Sequence, residues 1–293
     1  MILPKFSYFE PKQIGEVCSL LEEYGEEARV LAGGTDLLVK MKQGLLNPKC
    51  LVSLKKLAEL NFIRFDERTG LALGAMASLN SIQESPLVRE NYYALAEAVE
   101  SMAAVQIRNI GTLGGNLGNA SPAADTAPVL IAYGAQVKLV GPKGERRVAL
   151  EDFFIGPGQT VLNKGEIIAE VVLPPAGIST GGAYRRFGLR RSSALAVVGA
   201  AAVITLKSGV CQSVRIALGA VAPVPLRVPA AEEVLAGKAI EDEAIVEAAK
   251  KAREAARPIT DVRSSDEYRR ELTEVLVTRA LSHALKRAKE RVN

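Results

Sequence analysis

Glycine alternates with short polar residues in one long stretch, residues 106–126, which reads QIRNIGTLGGNLGNASPAADT. Gly111, Gly114, Gly115 and Gly118 fall within eight positions, and asparagine, threonine and serine side chains are interleaved with them. Glycine allows the backbone to approach a ligand and to adopt positive φ, so successive N–H groups can converge on an anion. The stretch is therefore a candidate phosphate-binding loop. A pair of tight turns is the alternative, since isolated glycine motifs are weak evidence.

A second turn of small residues occurs earlier, at residues 30–38, with the sequence VLAGGTDLL. It follows a β-like segment and places the hydroxyl of Thr35 at the start of a helical pattern, which is a natural anion site. Two such loops could clamp a diphosphate from both sides. Neither loop matches the G-x-G-x-x-G fingerprint, and no G-x-x-x-x-G-K-[ST] sequence occurs, which disfavours a Rossmann domain and a P-loop.

The reactive side chains are few. His283 is the only histidine, and Cys18, Cys50 and Cys211 lie far apart with no C-x-x-C pair. Because no nucleophilic triad, zinc site or iron–sulfur site can be assembled from this set, we predict no catalytic residue and no metal ligand in this chain. We expect buried cysteines and a structural or solvated histidine. The chain is then best explained as a holder for a redox cofactor that carries the chemistry.

The hydrophobic periodicity predicts the elements that position these loops. A small β-α-β unit with strands at 6–8, 28–31 and 50–54 carries the first loop, and a hairpin follows at 60–65 and 71–74. An alanine-rich helix at 92–105 leads into the second loop, and a helix at 125–133 leaves it. Further strands are predicted at 135–140, 147–150 and 166–173. The last third predicts antiparallel strands at 183–187, 197–206 and 213–221 and helices at 230–236, 241–256 and 266–288.

The composition is typical of a globular protein, with 293 residues, of which 48% are hydrophobic and 24% charged. No apolar run is long enough to span a membrane, and the first residues lack the basic flank and apolar core of a signal peptide, so we expect a cytoplasmic protein. The net charge of +4 comes from 37 basic and 33 acidic residues that are intermixed, which is too weak for nucleic-acid binding.

Residues 32–37 (AGGTDL) and 107–128 (IRNIGTLGGNLGNASPAADTAP) together resemble the two FAD loops of the medium subunit of molybdenum hydroxylases. This group includes carbon monoxide dehydrogenase, xanthine dehydrogenase and nicotinate dehydrogenase. The resemblance covers essentially the whole chain, because the segment after Gly181 is similar to the C-terminal domain of the family. It implies an α+β fold in which a two-part FAD-binding domain of the PCMH type precedes a smaller domain with an antiparallel three-stranded sheet and helices.

Prolines and glycines at Pro174, Pro175, Gly177, Gly181 and Gly182 mark the clearest boundary in the chain. We therefore predict an FAD-binding domain at 1–176, with parts at about 1–55 and 56–176, and a C-terminal domain like that of the carbon monoxide dehydrogenase flavoprotein at 177–293.

The resemblance implies FAD as the cofactor and indicates which residues bind it. The first loop would contribute Leu31, Ala32, Gly33, Gly34, Thr35 and Asp36, and the second Gly111, Thr112, Gly114, Gly115, Asn116 and Asn119. Asp125 is predicted to accept hydrogen bonds from ribityl hydroxyls or a flavin N–H, with a helix N-cap as the alternative. Apolar contacts near the flavin would come from Met102, Ala103, Ile107, Ile167 and Ile168, and simple helix packing is the alternative for the first three. The family has a ring-covering aromatic residue near Tyr184 and a basic flavin contact near Arg186.

The function implied by the resemblance is electron transfer inside a larger enzyme. A large molybdopterin-binding subunit would hydroxylate the substrate, and a small subunit with [2Fe-2S] clusters would pass electrons to FAD on this chain. The final acceptor would be NAD, a quinone or another molecule. Two alternatives stay open: a free-standing FAD-dependent oxidoreductase of the same superfamily, similar to the reductase that makes UDP-N-acetylmuramate, and a nucleotide-binding scaffold without a redox role. The missing acid/base set argues against the first alternative.

Overall fold

The computed structural model describes residues 3–190 and 193–291 and begins with a small parallel sheet. Its strands are Ser7–Phe9 (β1), Ala28–Leu31 (β2) and Cys50–Ser53 (β3), in the order β1-β3-β2. The helix Ile14–Tyr24 (α1) joins β1 to β2, and the helix Leu37–Lys42 (α2) lies between β2 and β3. Parallel neighbours need such crossovers, so the predicted β-α-β unit is confirmed. The first glycine loop, residues 32–36, leaves the carboxyl end of β2.

A five-stranded antiparallel sheet follows, in the order β4-β5-β10-β6-β7. The predicted hairpin is confirmed as its first two strands. The strands of this sheet are Ile63–Asp66 (β4), Gly70–Gly74 (β5), Gln136–Gly141 (β6), Gly144–Ala149 (β7) and Ile167–Leu173 (β10). A separate two-stranded sheet lies between β7 and β10 in the chain and consists of Phe154–Gly156 (β8) and Gln159–Thr160 (β9).

Short helices fill the segment between β5 and β6. They are Leu79–Glu84 (α3), Pro86–Asn91 (α4), Tyr93–Ser101 (α5), Val105–Ile110 (α6), Leu113–Gly118 (α7) and Thr126–Ala132 (α8). The predicted helix at 92–105 was too long, because Met102 is extended and Ala103 has a φ of 49°. The predicted loop at 106–126 was also partly wrong, since it contains α6 and α7. Glycine weakens a helix but does not forbid it, and here tertiary packing outweighs its cost.

The last third forms an antiparallel sheet in the order β11-β12-β13-β14, covered by helices. The elements are Thr180–Gly188 (β11), Ala196–Lys207 (β12), Val210–Gly219 (β13), Leu226–Arg227 (β14), Pro229–Leu235 (α9), Asp242–Ala255 (α10) and Asp266–Glu290 (α11). The three predicted strands are confirmed, and the structure adds the two-residue β14. The first nine residues of β12 are all buried because α11 packs on one face of the sheet and α8 on the other.

Two large apolar cores hold the molecule together. One is built around Tyr92, Leu95 and Phe153 and also takes in Tyr184 and Val203 from the C-terminal sheet. The other lies between that sheet and its helices, with Ile204, Ile216, Val277 and Leu281 at its centre. Because the C-terminal sheet contributes to both cores, the two regions share apolar packing. The domain boundary at residue 176 stays a prediction.

The three cysteines are buried and unpaired in the structure, as predicted, and His283 is exposed on α11. Among residues 3–190 and 193–291, no helix is both long enough and apolar enough to cross a membrane. In the same residues, no cluster of three or more histidine, cysteine, aspartate or glutamate side chains has an arrangement that could hold a metal ion.

Candidate functional site

A cavity of about 1220 Å³ lies between the two glycine-rich segments. Its walls are the first loop, the helices α6 and α7 of the second segment, the start of β10 and the turn that precedes β10. Pockets for drug-sized ligands measure about 300–1,000 Å³, so this cavity suits a larger molecule.

The structure brings most of the predicted site residues into this one cavity. Those that line it are Ala32, Gly33, Gly34, Thr35, Asp36, Met102, Ala103, Ile107, Gly111, Thr112, Gly114, Gly115, Asn116, Asn119, Asp125, Ile167 and Ile168. Leu31, Tyr184 and Arg186 do not line it. The side chain of Leu31 is buried in a small cluster with Met41 and Leu51 instead.

The first loop presents a row of free backbone donors. Within the part of the chain that the structure describes, the N–H groups of residues 32–36 have no hydrogen-bond acceptor. Gly34 makes this shape possible, because its φ of 77° lies in the left-handed region that side chains disfavour. A Cβ at this position would also lie 3.0 Å from Leu31 Cδ1. Successive N–H groups around such a residue form a concave site for an anion.

The two loops are held together by direct contacts. A Cβ added at Gly33 would lie 2.1 Å from the carbonyl oxygen of Ile110, so only glycine allows the loops to approach this closely. Lys40 Nζ donates to Asn119 Oδ1 at 2.7 Å, and Asn119 Nδ2 donates to Asp36 Oδ1 at 3.2 Å. The polar link fixes the distance between the loops. Lys40 was missed from the sequence, although it lies one helical turn after Asp36 on the same face.

The second segment is shaped by caps and by packing. Thr112 caps α7, since its hydroxyl accepts the Gly115 N–H at 3.1 Å. Gly114 donates its N–H to the carbonyl of Ala75 at 2.8 Å, and a Cβ there would lie 2.7 Å from Ala75 Cβ. Gly114 therefore allows α7 to lie close to the end of β5. The Thr126 hydroxyl donates to Asn116 Oδ1 at 2.6 Å, which orients that side chain at the cavity wall.

The turn between α5 and α6 forms an apolar part of the wall. Met102, Ala103 and Ile107 line the cavity here, and Ala103 has a positive φ of 49°. Arg108 stabilises the turn, because its Nη1 donates to the carbonyls of Met102 at 2.8 Å and Ala103 at 3.4 Å. Strained backbone of this kind persists where the surroundings fix it, and it clusters at functional sites. Arg108 was not predicted as a site residue, and no local pattern indicates its role.

Asp125 is the buried carboxylate of the cavity wall, with 5% of its surface exposed. Its Oδ1 accepts a 2.7 Å hydrogen bond from the Tyr184 hydroxyl and lies 3.3 Å from Arg186 Nε. Burial raises the pKa of Asp125, and the Arg186 charge and the Tyr184 hydrogen bond oppose that rise. Asp125 precedes α8, but its side chain does not cap the helix, so the alternative role as an N-cap is wrong.

The structure places Tyr184 and Arg186 outside the cavity lining, and flavin contacts near these residues stay a prediction. Tyr184 is 3% exposed and lies behind Asp125, within the core. Arg186 donates through Nη1 to the Ser101 carbonyl and through Nη2 to the Ala194 carbonyl at 2.6 Å. Both side chains are therefore held by contacts within the protein, although Arg186 Nε has no hydrogen-bond acceptor among the described residues. The nearby residues that do line the cavity are Ser193, Ala194 and Leu195.

Another part of the cavity wall was not predicted. It is formed by Arg29, Met76, Asn163 and Lys164, together with Ala28 and the turn residues Gly25 and Glu26. Lys164 reaches this turn, since a Cβ at Gly25 would lie 3.1 Å from Lys164 Cε. These residues come from three separate parts of the chain and share no motif, so nothing in the sequence joins them.

Comparisons with known proteins agree with this site. Residues 4–176 match the family described as the FAD binding domain in molybdopterin dehydrogenase, and residues 183–284 match the CO dehydrogenase flavoprotein C-terminal domain. The chain belongs to this flavoprotein family.

Individual relatives show the extent of the similarity. The carbon monoxide dehydrogenase medium chain of Hydrogenophaga pseudoflava is 36% identical, over 97% of this chain and 98% of its own. The nicotinate dehydrogenase FAD-subunit of Eubacterium barkeri is 33% identical over 79% and 80%. The solved carbon monoxide dehydrogenase from H. pseudoflava which lacks the Mo-pyranopterin moiety superposes with a TM-score of 0.95, at 37% identity over 98% of this chain and 99% of that one.

FAD is the cofactor of this family, and the cavity fits it. The unpaired N–H groups of residues 32–36 suit a pyrophosphate, and the volume exceeds that of a drug-sized pocket. The apolar wall at Met102 and Ile107 suits a ring system, and Asp125 offers a carboxylate oxygen. When bound, FAD supplies the redox chemistry by which the proteins of this family act as oxidoreductases.

Proposed function

We propose that this chain is the FAD-carrying electron-transfer subunit of a molybdenum-containing hydroxylase or dehydrogenase. In this proposal, electrons pass from [2Fe-2S] clusters of a small partner subunit through FAD to NAD, a quinone or another acceptor. A large molybdopterin-binding subunit carries the substrate chemistry. The cytoplasmic location stays a prediction.

The observation that supports the proposal most is the cavity between two glycine-rich loops in a chain that matches a medium chain over nearly its full length. The residues of this chain bind and orient the cofactor. The first loop offers N–H donors to the pyrophosphate, and the link from Lys40 through Asn119 to Asp36 keeps the loops at a fixed distance. Met102, Ile107 and Ile168 exclude water from the apolar wall.

The reactive side chains of the described residues support an accessory role for this chain. Among the cavity-lining residues of the described chain there is no histidine or cysteine, and no metal-binding cluster exists in that part of the chain. We therefore expect FAD to be held without a covalent bond. Acid precipitation of the purified protein should release all of the flavin into the supernatant, and flavin that stays in the pellet would contradict the proposal.

A second experiment tests the dependence on partners. The purified flavoprotein is mixed anaerobically with N-heterocycles, aldehydes or carbon monoxide, and the visible absorbance of the flavin is followed. We expect no bleaching, because substrate oxidation needs a group that these residues cannot supply. Bleaching should appear when the co-expressed large and small subunits are present. Bleaching by the chain alone would instead favour a free-standing flavoenzyme.

A further inference from the structure

Tyr184 and Arg186 do not line the cavity, but both reach Asp125 in its wall, and Arg186 also contacts the lining residue Ala194. Both approach the same atom, Asp125 Oδ1, with the Tyr184 hydroxyl at 2.7 Å and Arg186 Nε at 3.3 Å. Within residues 3–190 and 193–291, the second carboxylate oxygen, Oδ2, has no hydrogen-bond donor. One oxygen of Asp125 is thus held by the C-terminal strand β11, and the other is available to a ligand in the cavity.

The Arg186 guanidinium is fixed by backbone from two different elements. Its Nη1 donates to the carbonyl of Ser101, at the end of α5, and its Nη2 to the carbonyl of Ala194, just before β12. The side chain is only 11% exposed. Since a guanidinium keeps its charge and its planar fork fixes the donor directions, Arg186 places a permanent positive charge at one point behind Asp125.

The Tyr184 hydroxyl fits at its position because the neighbouring strand has a glycine there. A Cβ at Gly199, on the neighbouring strand β12, would lie 2.4 Å from Tyr184 Oη and 3.2 Å from its Cζ. Only glycine at 199 therefore leaves room for the hydroxyl where it meets Asp125. A buried carboxylate keeps its charge only when it is paired and hydrogen-bonded, and these two contacts supply the pair and the hydrogen bond.

We propose that Tyr184 and Arg186 are positioning residues that keep Asp125 ionised and oriented, so that its Oδ2 accepts a hydrogen bond from the polyol or a ring N–H of bound FAD. The inference rests on the proposed function, since it assumes that FAD occupies the cavity. It gives the C-terminal region an influence on the cofactor site that acts through Asp125, because neither residue lines the cavity.

The test is a double-mutant cycle on the full chain. Wild type, Asp125→Asn, Tyr184→Phe and the double variant are stripped of flavin and titrated with FAD, and flavin fluorescence gives the dissociation constant. Asp125→Asn should weaken binding about tenfold, the size expected for a hydrogen bond to a charged group. Tyr184→Phe should weaken binding about three- to tenfold in the wild type, by the same principle, and have no further effect in Asp125→Asn. The oxidised flavin band should shift in the two single variants.

Tyr92→Phe is the matched control. It removes another buried tyrosine hydroxyl, which donates to the Pro174 carbonyl at 2.8 Å and does not contact Asp125. It should leave FAD affinity and the flavin band unchanged. A second comparison is made at Arg186. Arg186→Lys keeps the positive charge and should therefore retain more affinity for FAD than Arg186→Gln, which removes it.

Near-UV circular dichroism checks that each variant is folded. If Tyr184→Phe has no effect in the wild type, or the same effect in both backgrounds, the positioning role is overturned while FAD binding stands. If the wild-type chain itself fails to bind FAD, the proposed function falls, and the inference falls with it.

Discussion

At the scale of single residues, the structure separates glycines that shape the cofactor site from glycines that do not. Gly34 has a φ of 77° and makes the row of free N–H groups possible, whereas Gly15 lies in α1 with open space around its Cβ position. The same substitution, glycine to alanine, should therefore have opposite effects at the two positions.

Gly34→Ala should lower the free energy of unfolding by about 1–2 kcal/mol, the cost of placing a side chain in left-handed backbone. It should also weaken FAD binding, because relief of that strain turns the N–H groups of the loop. Gly15→Ala should raise the free energy of unfolding by about 0.5–1 kcal/mol and leave FAD affinity unchanged. Urea titration and FAD titration measure the two quantities. Normal FAD affinity in Gly34→Ala would show that the loop does not bind the pyrophosphate.

At the scale of elements, the short helix α7 depends on its cap. Thr112 accepts the Gly115 N–H and is 5% exposed, and α7 brings Asn116 to the cavity. Six-residue helices have little stability of their own, so the cap and the packing against Ala75 hold α7 in place. By contrast, α11 has 25 residues and a serine cap, Ser265, far from the cavity along the chain.

Thr112→Ala and Ser265→Ala form a matched pair. Each removes an N-cap, so each should lower the free energy of unfolding by about 1 kcal/mol. Only Thr112→Ala should weaken FAD binding, because α7 contributes cavity residues and α11 does not, and Thr112→Ser should restore it. Thermal unfolding and FAD titration would test this. Equal FAD affinity in the two alanine variants would show that α7 does not contribute to FAD binding.

At the scale of the whole molecule, Glu97 joins α5 to the C-terminal region. Its carboxylate accepts two hydrogen bonds from Arg287 on α11, at 2.7 and 2.8 Å, and one from Arg185 at 3.0 Å. The backbone N–H of Tyr184 donates to it at 3.1 Å. Burial disfavours the charged form, but the bonds from Arg287 and Tyr184 and the two arginine charges outweigh it and lower the pKa of Glu97 below its ordinary 4.5.

The sign of the pH effect follows from this lowered pKa. Glu97 stabilises the fold fully above pH 4.5, and its contribution is lost as the pH falls through the lower folded value. The free energy of unfolding of the wild type should therefore drop as the pH falls below about 4.5, with a further contribution from Glu166, whose pKa the Arg146 hydrogen bond lowers to about 2.

Glu97→Gln should lower stability by about 1–3 kcal/mol at pH 7, the cost of losing hydrogen bonds to a charged group, and should flatten the acid drop. Glu59→Gln, at an exposed position, is the control and should change neither quantity. Urea unfolding from pH 7 to pH 3 measures both. An unchanged acid slope in Glu97→Gln would show that this contact does not stabilise the docking of the C-terminal region.

The sequence by itself determined the local features of this protein. The first glycine loop, the β-α-β unit around it and the C-terminal strands could be predicted because glycine patterns and hydrophobic periodicity act over a few residues. The resemblance of the two loops then indicated the cofactor and the family. Most of the cavity wall follows from these same segments.

Only the tertiary structure decided which distant residues meet. Asp125 and Tyr184 are 59 positions apart, and their hydrogen bond depends on how the C-terminal sheet packs against α5 and α8. The helix α7 lies close to the end of β5 because Gly114 packs against Ala75, a contact that no local pattern encodes. Packing between distant segments is set by shape and burial rather than by neighbouring residues, and so the contacts of Tyr184 and Arg186 had to be seen in the fold.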